Sequence, residues 1–348
     1  MLRWIFIALQ LMAATASQSV AAVPRSSPLS PLSTGGNSTT LFTTLPAAQT
    51  GISHINPIDT SHGLKRLYTS TLGGGGIAAG DFDGDDRCDL YFVSGARTNT
   101  LYQNKGLGRF EDISRTAGVE GGSAWGSGVA AVDIDGDRDL DLYVCNYGSP
   151  NQLFINDGKA NFVESASRFG LARSGAFSMA AFADYDLDGD LDVYLLGHRF
   201  YRAGGRPDRP VTVVKNGRTQ ILPEFEDYYG ISQRGGKMQI NNVGAPDKLL
   251  RNDNGRFVDA TRAAGISSGR YHGNSVTWWD FNHDGLPDLH VGNDFEDPDL
   301  LYRNNGNGTF TDVTERQLPH TSWFTMGADC GDLNNDGLID FLSADMAG

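Results

Sequence analysis

The sequence is poor in cysteine and in basic residues, and each shortage excludes a class of protein. Only 3 of the 348 residues are cysteine, which is too few for a disulfide scaffold, and they lack the spacing of a metal site. Lysine and arginine number 28 against 42 acidic residues, so the formal charge is −14. Phosphate backbones repel a chain this acidic. Nucleic acid is therefore excluded as the expected partner.

Long apolar runs are also scarce, and the clearest lies at the amino end. Residues 4–16 are mostly apolar, follow a basic residue at Arg3 and precede small residues suited to cleavage. This pattern predicts a signal peptide over residues 1–22, followed by a linker rich in serine and proline over 23–45. The run is too short to span a bilayer comfortably. We expect a secreted protein, extracellular or periplasmic, with no membrane span after cleavage.

Glycine is abundant, at 44 residues, and it recurs inside an acidic pattern that appears five times. The five segments begin at Asp81, Asp133, Asp184, Asp280 and Asp332. An asparagine marker follows each of the first four, at Asn104, Asn156, Asn252 and Asn304. An aromatic strand pattern then closes each unit, at Phe110, Phe162, Phe257 and Phe310. The period is about 52 residues, which is the length of a repeat unit rather than of a whole domain.

Within each unit the residue pattern is that of short strands. Small residues precede most acidic loops, as at 76–79 and 128–131, and β-branched or aromatic runs follow them. Four strands per repeat predict an all-β fold, a β-propeller of four-stranded blades over residues 46–348. The small residues suit the innermost strand, where bulk is excluded, and a superhelical array of hairpins gives no reason for them. About five blades are present, and the fifth stops after two strands.

The segment around Phe42 resembles the closing strand of a blade, which in a ring completes the last blade. We therefore expect this chain to be part of a longer propeller of the seven-bladed type. Cys88 and Cys145 lie near the acidic loops of adjacent blades. Their positions leave two alternatives open, a bridge between the blades or reduced, buried thiols.

The third unit contains an insertion of about 45 residues, between His198 and Asp247. Eight of its side chains are basic and four are acidic, so it is positive on a negative protein. Such a segment suits an acidic glycan or an acidic patch of a partner protein. The alternative is that it packs over a blade and is simply solvated.

The acidic loops have the chemistry of a site for a hard divalent cation. Counting each loop from its first aspartate, carboxylates or asparagines occupy positions 1, 3, 5 and 9, and position 7 would add a backbone carbonyl. Oxygen donors in this number fit Ca²⁺ better than Mg²⁺, so up to five Ca²⁺ are expected. An EF-hand is excluded because position 12 is never glutamate. The predicted ligands are Asp81, Asp83, Asp85, Asp89, Asp133, Asp135, Asp137, Asp141, Asp184, Asp186, Asp188, Asp192, Asp280, Asn282, Asp284, Asp288, Asp332, Asn334, Asp336 and Asp340.

Together the loops and markers resemble FG-GAP/VCBS repeats, the calcium-loop blades also found in integrin α-subunit propellers. The runs at 301–314 and 326–341 resemble, more narrowly, secreted bacterial proteins with ASPIC/UnbV-type C-terminal domains. The resemblance covers about residues 70–348. It implies a seven-bladed propeller with Ca²⁺ on the loops and a role in adhesion or binding.

The sequence contains no nucleophile elbow, phosphate loop or dinucleotide fingerprint. We therefore predict a non-catalytic adhesion module that binds an extracellular protein or an acidic glycan. The alternative is a propeller enzyme that acts on an extracellular polysaccharide through the basic insertion, with His198, Tyr201 and Arg202 as its candidate residues.

Overall fold

The computed structural model describes residues 43–69, 71–202, 204–267, 269–294 and 297–346. The predicted signal peptide, most of the linker and Phe42 lie outside the described residues. In the described part of the chain, no helix is long and apolar enough to cross a bilayer.

The strands form successive antiparallel sheets whose strand order follows the chain. The first blade contains β1 (Gly76–Gly80), β2 (Asp89–Val93), β3 (Thr100–Asn104) and β4 (Phe110–Asp112). The second contains β5 (Trp125–Val132), β6 (Asp141–Pro150), β7 (Gln152–Asn156) and β8 (Phe162–Glu164). The third begins with β9 (Ser174–Ala183) and β10 (Asp192–Gly197), and the far end of β6 also pairs with β9.

The insertion enters the third blade between its second and third strands. It forms two hairpins, β11 (Thr212–Lys215) with β12 (Arg218–Ile221) and β13 (Tyr229–Arg234) with β14 (Lys237–Asn242). The blade is then completed by β15 (Lys248–Asn252) and β16 (Phe257–Asp259). The insertion therefore adds to the blade without interrupting its sheet.

The fourth blade and the start of the fifth follow the same plan. The fourth contains β17 (Gly273–Trp279), β18 (Asp288–Asn293), β19 (Leu300–Asn304) and β20 (Phe310–Asp312). The fifth contains β21 (Thr325–Gly331) and β22 (Asp340–Asp345) in the described residues. The short helices are α1 (Ala47–Thr50), α2 (Ser114–Ala117), α3 (Ala166–Phe169) and α4 (Thr314–Gln317), with 3₁₀ turns at Lys65–Thr69, Thr71–Gly73 and Pro223–Phe225.

The core lies between facing blades, because the second strands of the second, third and fourth blades are buried over most or all of their length. In β6, Leu142 and Val144 pack toward the first blade, whereas Tyr143 and Cys145 pack toward the third. Alternate residues of a strand point to opposite faces, so one strand supplies two cores. The same arrangement recurs in β10. Blades stacked face to face in chain order are the architecture of a propeller, as the repeats predict.

The small residues of the inner strands allow these strands to approach closely. A side chain added at Gly76 would touch Gly128, and one added at Gly128 would meet the carbonyl of Ser178 in the next blade. Hydrogen bonds also cross between inner strands, such as Ser127 Oγ to the carbonyl of Phe177 at 2.6 Å. The predicted reason for the small residues, exclusion of bulk where blades converge, is confirmed.

The segment before the first blade packs like the end of a preceding blade. Gly51 ends α1 at φ +83° and lies against the carbonyl of Phe110. Gly118 and Gly170 end α2 and α3 in the same conformation and lie against the outer strand of the following blade. A side chain could not be added at Gly51 without displacing backbone. The likeness of this segment to a blade end therefore extends to its packing.

All three cysteines are free thiols. Cys145 is buried, whereas Cys88 is exposed. Of the two alternatives for Cys88 and Cys145, the reduced one holds, but the expectation of burial is wrong for Cys88.

Candidate metal sites on the acidic loops

Each acidic loop joins the inner strand of a blade to its second strand. Position 1 follows the inner strand closely, and position 9 is the first residue of the second strand in all five blades. The blade sheets therefore place the five loops at the same end of the fold. The opposite end of these strands carries the basic insertion, which follows β10.

Two backbone positions in every loop have the left-handed conformation, but each loop has only one glycine. A residue with a side chain therefore occupies one of the two positions in every loop. Position 4 has φ between +58° and +78°, and position 6 between +63° and +97°. The first two loops use glycine at position 4 and place Asp86 and Arg138 at position 6. The other three use glycine at position 6 and place Leu187, His283 and Asn335 at position 4. L-residues pay an energetic penalty in this conformation, and yet the Asp133 loop closes like the others despite its arginine.

The aspartate at position 1 holds this turn together. In the third loop, Oδ1 of Asp184 accepts the N–H of Asp188 at 3.1 Å and Oδ2 accepts the N–H of Gly189 at 3.0 Å. The same pair of bonds recurs at Asp280 and Asp332. Asparagine could not accept at both atoms, which explains why position 1 is always aspartate.

In the first and third loops, the carboxylate at position 3 has an oxygen without a hydrogen-bond partner among the described residues. Oδ1 of Asp83 and Oδ1 of Asp186 are buried, and neither has a donor among the described residues. A buried, unpartnered carboxylate oxygen is costly. In the fourth and fifth loops, position 3 is asparagine, and its oxygen accepts the N–H of position 5 at 2.9 Å. The Asp81 and Asp184 loops therefore have an oxygen available to a cation, whereas the two loops with asparagine use theirs in a hydrogen bond within the loop.

The aspartate at position 9 joins three parts of its blade. Oδ2 of Asp141 accepts the N–H of Ile134 at 3.0 Å, and Oδ1 accepts the N–H of Asn156 at 2.8 Å. Asp89, Asp192 and Asp288 make the equivalent two bonds. Each carboxylate oxygen has a second lone pair, so this position can bind a cation while it bonds to the backbone.

Burial and like charge make the ionised form of these carboxylates unfavourable. The pKa of Asp141 and of Asp192 is raised to about 7, mainly by burial and also by neighbouring loop carboxylates, while backbone N–H groups lower it. The pKa of Asp288 is raised to about 6, first by burial. A bound dication would favour the ionised form. The donor set therefore fits a hard cation both in its oxygen chemistry and in its electrostatics.

Three of the five loops bring three carboxylates together, with ligand atoms within 4.8 Å of one another. The groups are Asp81, Asp83 and Asp85; Asp133, Asp135 and Asp141; and Asp184, Asp186 and Asp192. The Asp280 and Asp332 loops form no such group among the described residues. These are the two loops with asparagine at position 3, so they have one carboxylate fewer to contribute.

The asparagine marker has a role that the sequence did not reveal. Besides its N–H bond to Asp141, Asn156 donates through Nδ2 to the carbonyl of Leu140 at 3.1 Å and of Phe82 at 2.9 Å. Phe82 belongs to the loop of the preceding blade. Asn304 makes the same bridge to Tyr185 in the third loop. The regular distance from loop to marker was the available signal, because a fixed spacing indicates a fixed contact.

The basic insertion does not assemble the three residues of the enzyme alternative. His198 is only 2% exposed, and burial, followed by the nearby His272, lowers its pKa to about 3. Tyr201 and Arg202 instead line a surface cavity of which His198 is not part. A buried, neutral imidazole away from the cavity is poorly placed to accept a proton from a substrate there.

Comparisons with known proteins found similar sequences and a similar structure. Curated relatives include cartilage acidic protein 1 of Xenopus tropicalis, 31% identical over 167 residues, which is 45% of this chain and 25% of that protein. The Mus musculus protein of the same name is 29% identical, over 41% of this chain and 22% of its own length. The chain thus spans about a quarter or less of the relatives it matches. An Agrocybe aegerita lectin, described as recognising non-reducing terminal N-acetylglucosamine, is 15% identical with a TM-score of 0.33, over 77% of this chain and 73% of the lectin.

The family comparison is more extensive. The FG-GAP-like repeat model matches residues 81–144, 133–195 and 280–343, just over half of the chain. Each match spans two successive acidic loops and the strands between them. The chain therefore belongs to the FG-GAP-like repeat family.

Proposed function

We propose that this chain is an exported, calcium-stabilised propeller that acts as a non-catalytic adhesion module for an extracellular protein or an acidic glycan. Residues 1–22 would direct export, 23–45 would form the linker, and 46–348 would form the propeller with its insertion at 198–247. The ligands would be the twenty residues at positions 1, 3, 5 and 9 of the five loops.

The observation that carries the calcium proposal is the pair of carboxylate oxygens at position 3 that lack a hydrogen-bond partner among the described residues. Oδ1 of Asp83 and Oδ1 of Asp186 are buried inside groups of three carboxylates. When bound, the cation would supply the positive charge that such a group lacks. Each loop joins the inner strand to the second strand, so its neutralisation would stabilise the blade rather than create a reactive centre.

The binding role is supported by the separation of the two charged regions. The acidic loops lie at one end of the blade strands, and the basic insertion follows the other end of β10. Positive charge gathered in one region of a protein of net charge −14 favours an acidic partner. This supports the expectation of an acidic glycan or the acidic patch of an extracellular protein.

Calcium titration of thermal stability tests the proposal. The full chain is stripped with a chelator and its Tm is followed as Ca²⁺ or Mg²⁺ is restored. At a hundred times the dissociation constant, each site would add about 2.7 kcal/mol to the free energy of unfolding. Asp188→Asn should reduce the rise in Tm, whereas Asp190→Asn, at position 7 where only the backbone carbonyl is an expected ligand, should not. A Tm indifferent to chelation would contradict the calcium role.

A turnover assay separates the module from the enzyme alternative. The full chain is incubated with acidic and neutral polysaccharides, and new reducing or unsaturated ends are measured. We expect none above background. Turnover that disappears in Arg199→Ala and Arg202→Ala would overturn the non-catalytic role.

A further inference from the structure

A cationic cavity lies where the insertion meets the segment that precedes the first blade. Its volume is about 250 Å³, close to the lower end of the roughly 300–1,000 Å³ that small-molecule sites span. Residues from both segments line it, among them Arg66, Arg199, Arg202, Arg206, Tyr228 and Tyr229. Arg66 comes from the 3₁₀ turn at Lys65–Thr69, far from the insertion in sequence. The cavity is thus a product of the fold and not of the insertion alone.

The charge of the lining has one sign. Four guanidinium groups contribute to it, and no carboxylate is among the lining residues. Arg66 and Arg206 form no ion pair with any residue that the structure describes. A concave site lined by one sign of charge concentrates the field and raises the local concentration of a counter-ion. The natural occupant is therefore an anion.

Two of the arginines are held in place by aromatic rings and backbone. The guanidinium of Arg199 lies 4.5 Å from the centre of the Tyr201 ring. Arg202 lies 5.6 Å from the ring of Phe225 and donates through Nη1 to the carbonyl of Gly205 at 2.9 Å. Stacked guanidiniums lose less freedom when they bind a planar or tetrahedral anion. These side chains are therefore preorganised.

Gly205 brings the two segments together. It is buried with φ +80°, and a side chain added there would collide with the guanidinium of Arg66. A residue with a side chain would be strained at this φ and would displace the guanidinium of Arg66. The contact places Arg66 beside Arg202, whose own guanidinium bonds to the carbonyl of the same glycine.

The rest of the lining suits a sugar ring. Tyr228 and Tyr229 supply ring faces and hydroxyl groups, and Phe200 supplies an apolar face. We propose that this cavity binds one sulfated or uronic-acid residue of an acidic glycan, with Arg66 and Arg206 contacting its anionic oxygens. This inference rests on the proposed binding function and specifies its ligand class and its site. A sulfate ester and a carboxylate share the chemistry that arginine recognises.

The test is calorimetric titration of the full chain, in calcium, with four probes. The probes are a heparin-derived tetrasaccharide, trigalacturonate, neutral maltotriose and a polyglutamate peptide. We expect binding to one or both acidic sugars and none to maltotriose. Arg66→Ala and Arg206→Ala should each weaken that binding at least tenfold. Arg218→Ala, which removes an exposed arginine of the same insertion outside the cavity, should change it less than twofold.

The outcomes distinguish the site from the wider function. Equal losses of affinity in all three variants would mean that the positive charge of the whole region attracts the glycan. This result would overturn the cavity as the binding site. Polyglutamate binding as tight as the sugars would make an acidic protein the occupant and would overturn the glycan. Absence of binding to every probe, with the calcium-dependent Tm intact, would overturn the site and leave the calcium-stabilised propeller standing.

Discussion

Tyr194 donates a hydrogen bond of 2.8 Å to Oδ2 of Asp247, and both side chains are buried inside the third blade. The other oxygen of Asp247 accepts the N–H of Gly197. In the first two blades an asparagine takes this place. Asn99 accepts the backbone N–H of Ser94 and Asn151 that of Asn146, and each donates to a tyrosine hydroxyl at 2.9 Å. The third blade therefore has a buried carboxyl group where the first two blades have an amide.

This carboxyl group should make the stability of the protein depend on pH. Burial raises the pKa of Asp247 to about 7, above the value near 4 of an unfolded chain. The folded state then holds the proton more tightly than the unfolded chain. The contribution of this proton to the free energy of unfolding is therefore greatest below pH 4 and is lost as pH rises through 7. The full loss is on the order of 4 kcal/mol. Asp247→Asn should raise the Tm at pH 8 and change it little at pH 5, in saturating calcium.

The second blade provides the reciprocal control for this prediction. The hydroxyl of Tyr143 donates to the carbonyl of Leu171 and accepts from Asn151. Asn151→Asp should introduce the same pH dependence and lower the Tm at pH 8 more than at pH 5. Equal shifts at both pH values in either variant would mean that burial of the carboxyl group is not the cause.

A second prediction concerns the bridge between blades made by the asparagine marker. Asn156→Ala should lower the free energy of unfolding by about 1–3 kcal/mol, because the carbonyl of Leu140 loses its donor and the carbonyl of Phe82, in the preceding blade, loses one of its two donors. Asn104 is the matched position in the first blade, and among the described residues its Nδ2 donates to the carbonyl of Cys88 alone. Asn104→Ala should therefore cost less. Chemical denaturation of both variants measures the difference, and a larger effect at Asn104 would contradict it.

The fold could be predicted because its sequence signals repeat. The features that could not be predicted have no repeated signal in the sequence. The spacing of the acidic loops and of Asn104, Asn156, Asn252 and Asn304 indicated blades, since a repeated interval reports a repeated contact. The contact of Arg66 with Gly205 joins segments that share no repeat, so no periodicity marks it. Nor does the sequence reveal that Cys88 is exposed, because exposure depends on the neighbouring turns.

A third prediction concerns backbone strain in the third loop. Leu187 is exposed and has φ +58° at position 4, where the fifth loop has asparagine. Asparagine tolerates this conformation better than leucine, and β-branched residues tolerate it least. Leu187→Asn should raise the free energy of unfolding by up to about 1 kcal/mol, and Leu187→Val should lower it. Thermal denaturation in calcium checks both, and the opposite order would show that the turn is not strained.

The fourth prediction uses the charge at position 3. Asp186 lies in a group of three carboxylates, and burial followed by Asp188 and Asp184 raises its pKa. Without metal, Asp186→Asn should relieve this repulsion and raise the Tm. With calcium, the same change removes a charged ligand, so affinity should fall about tenfold, or 1.4 kcal/mol, and the Tm with it. Asn282→Asp should shift the Tm in the opposite direction under both conditions.

This inversion of sign is what distinguishes a cation site from an acidic turn. A solvated turn gains or loses the same stability whether or not calcium is present. In a ligand set, the charge that destabilises the empty loop is the one that strengthens binding, because both effects come from the same close oxygens. Tm values in chelator measure the repulsion in the empty loop. Tm values in calcium, together with calorimetric affinities, measure the contribution of the charge to binding. Tm shifts of the same sign in both conditions would mean that Asp186 affects the stability of the turn and does not bind calcium.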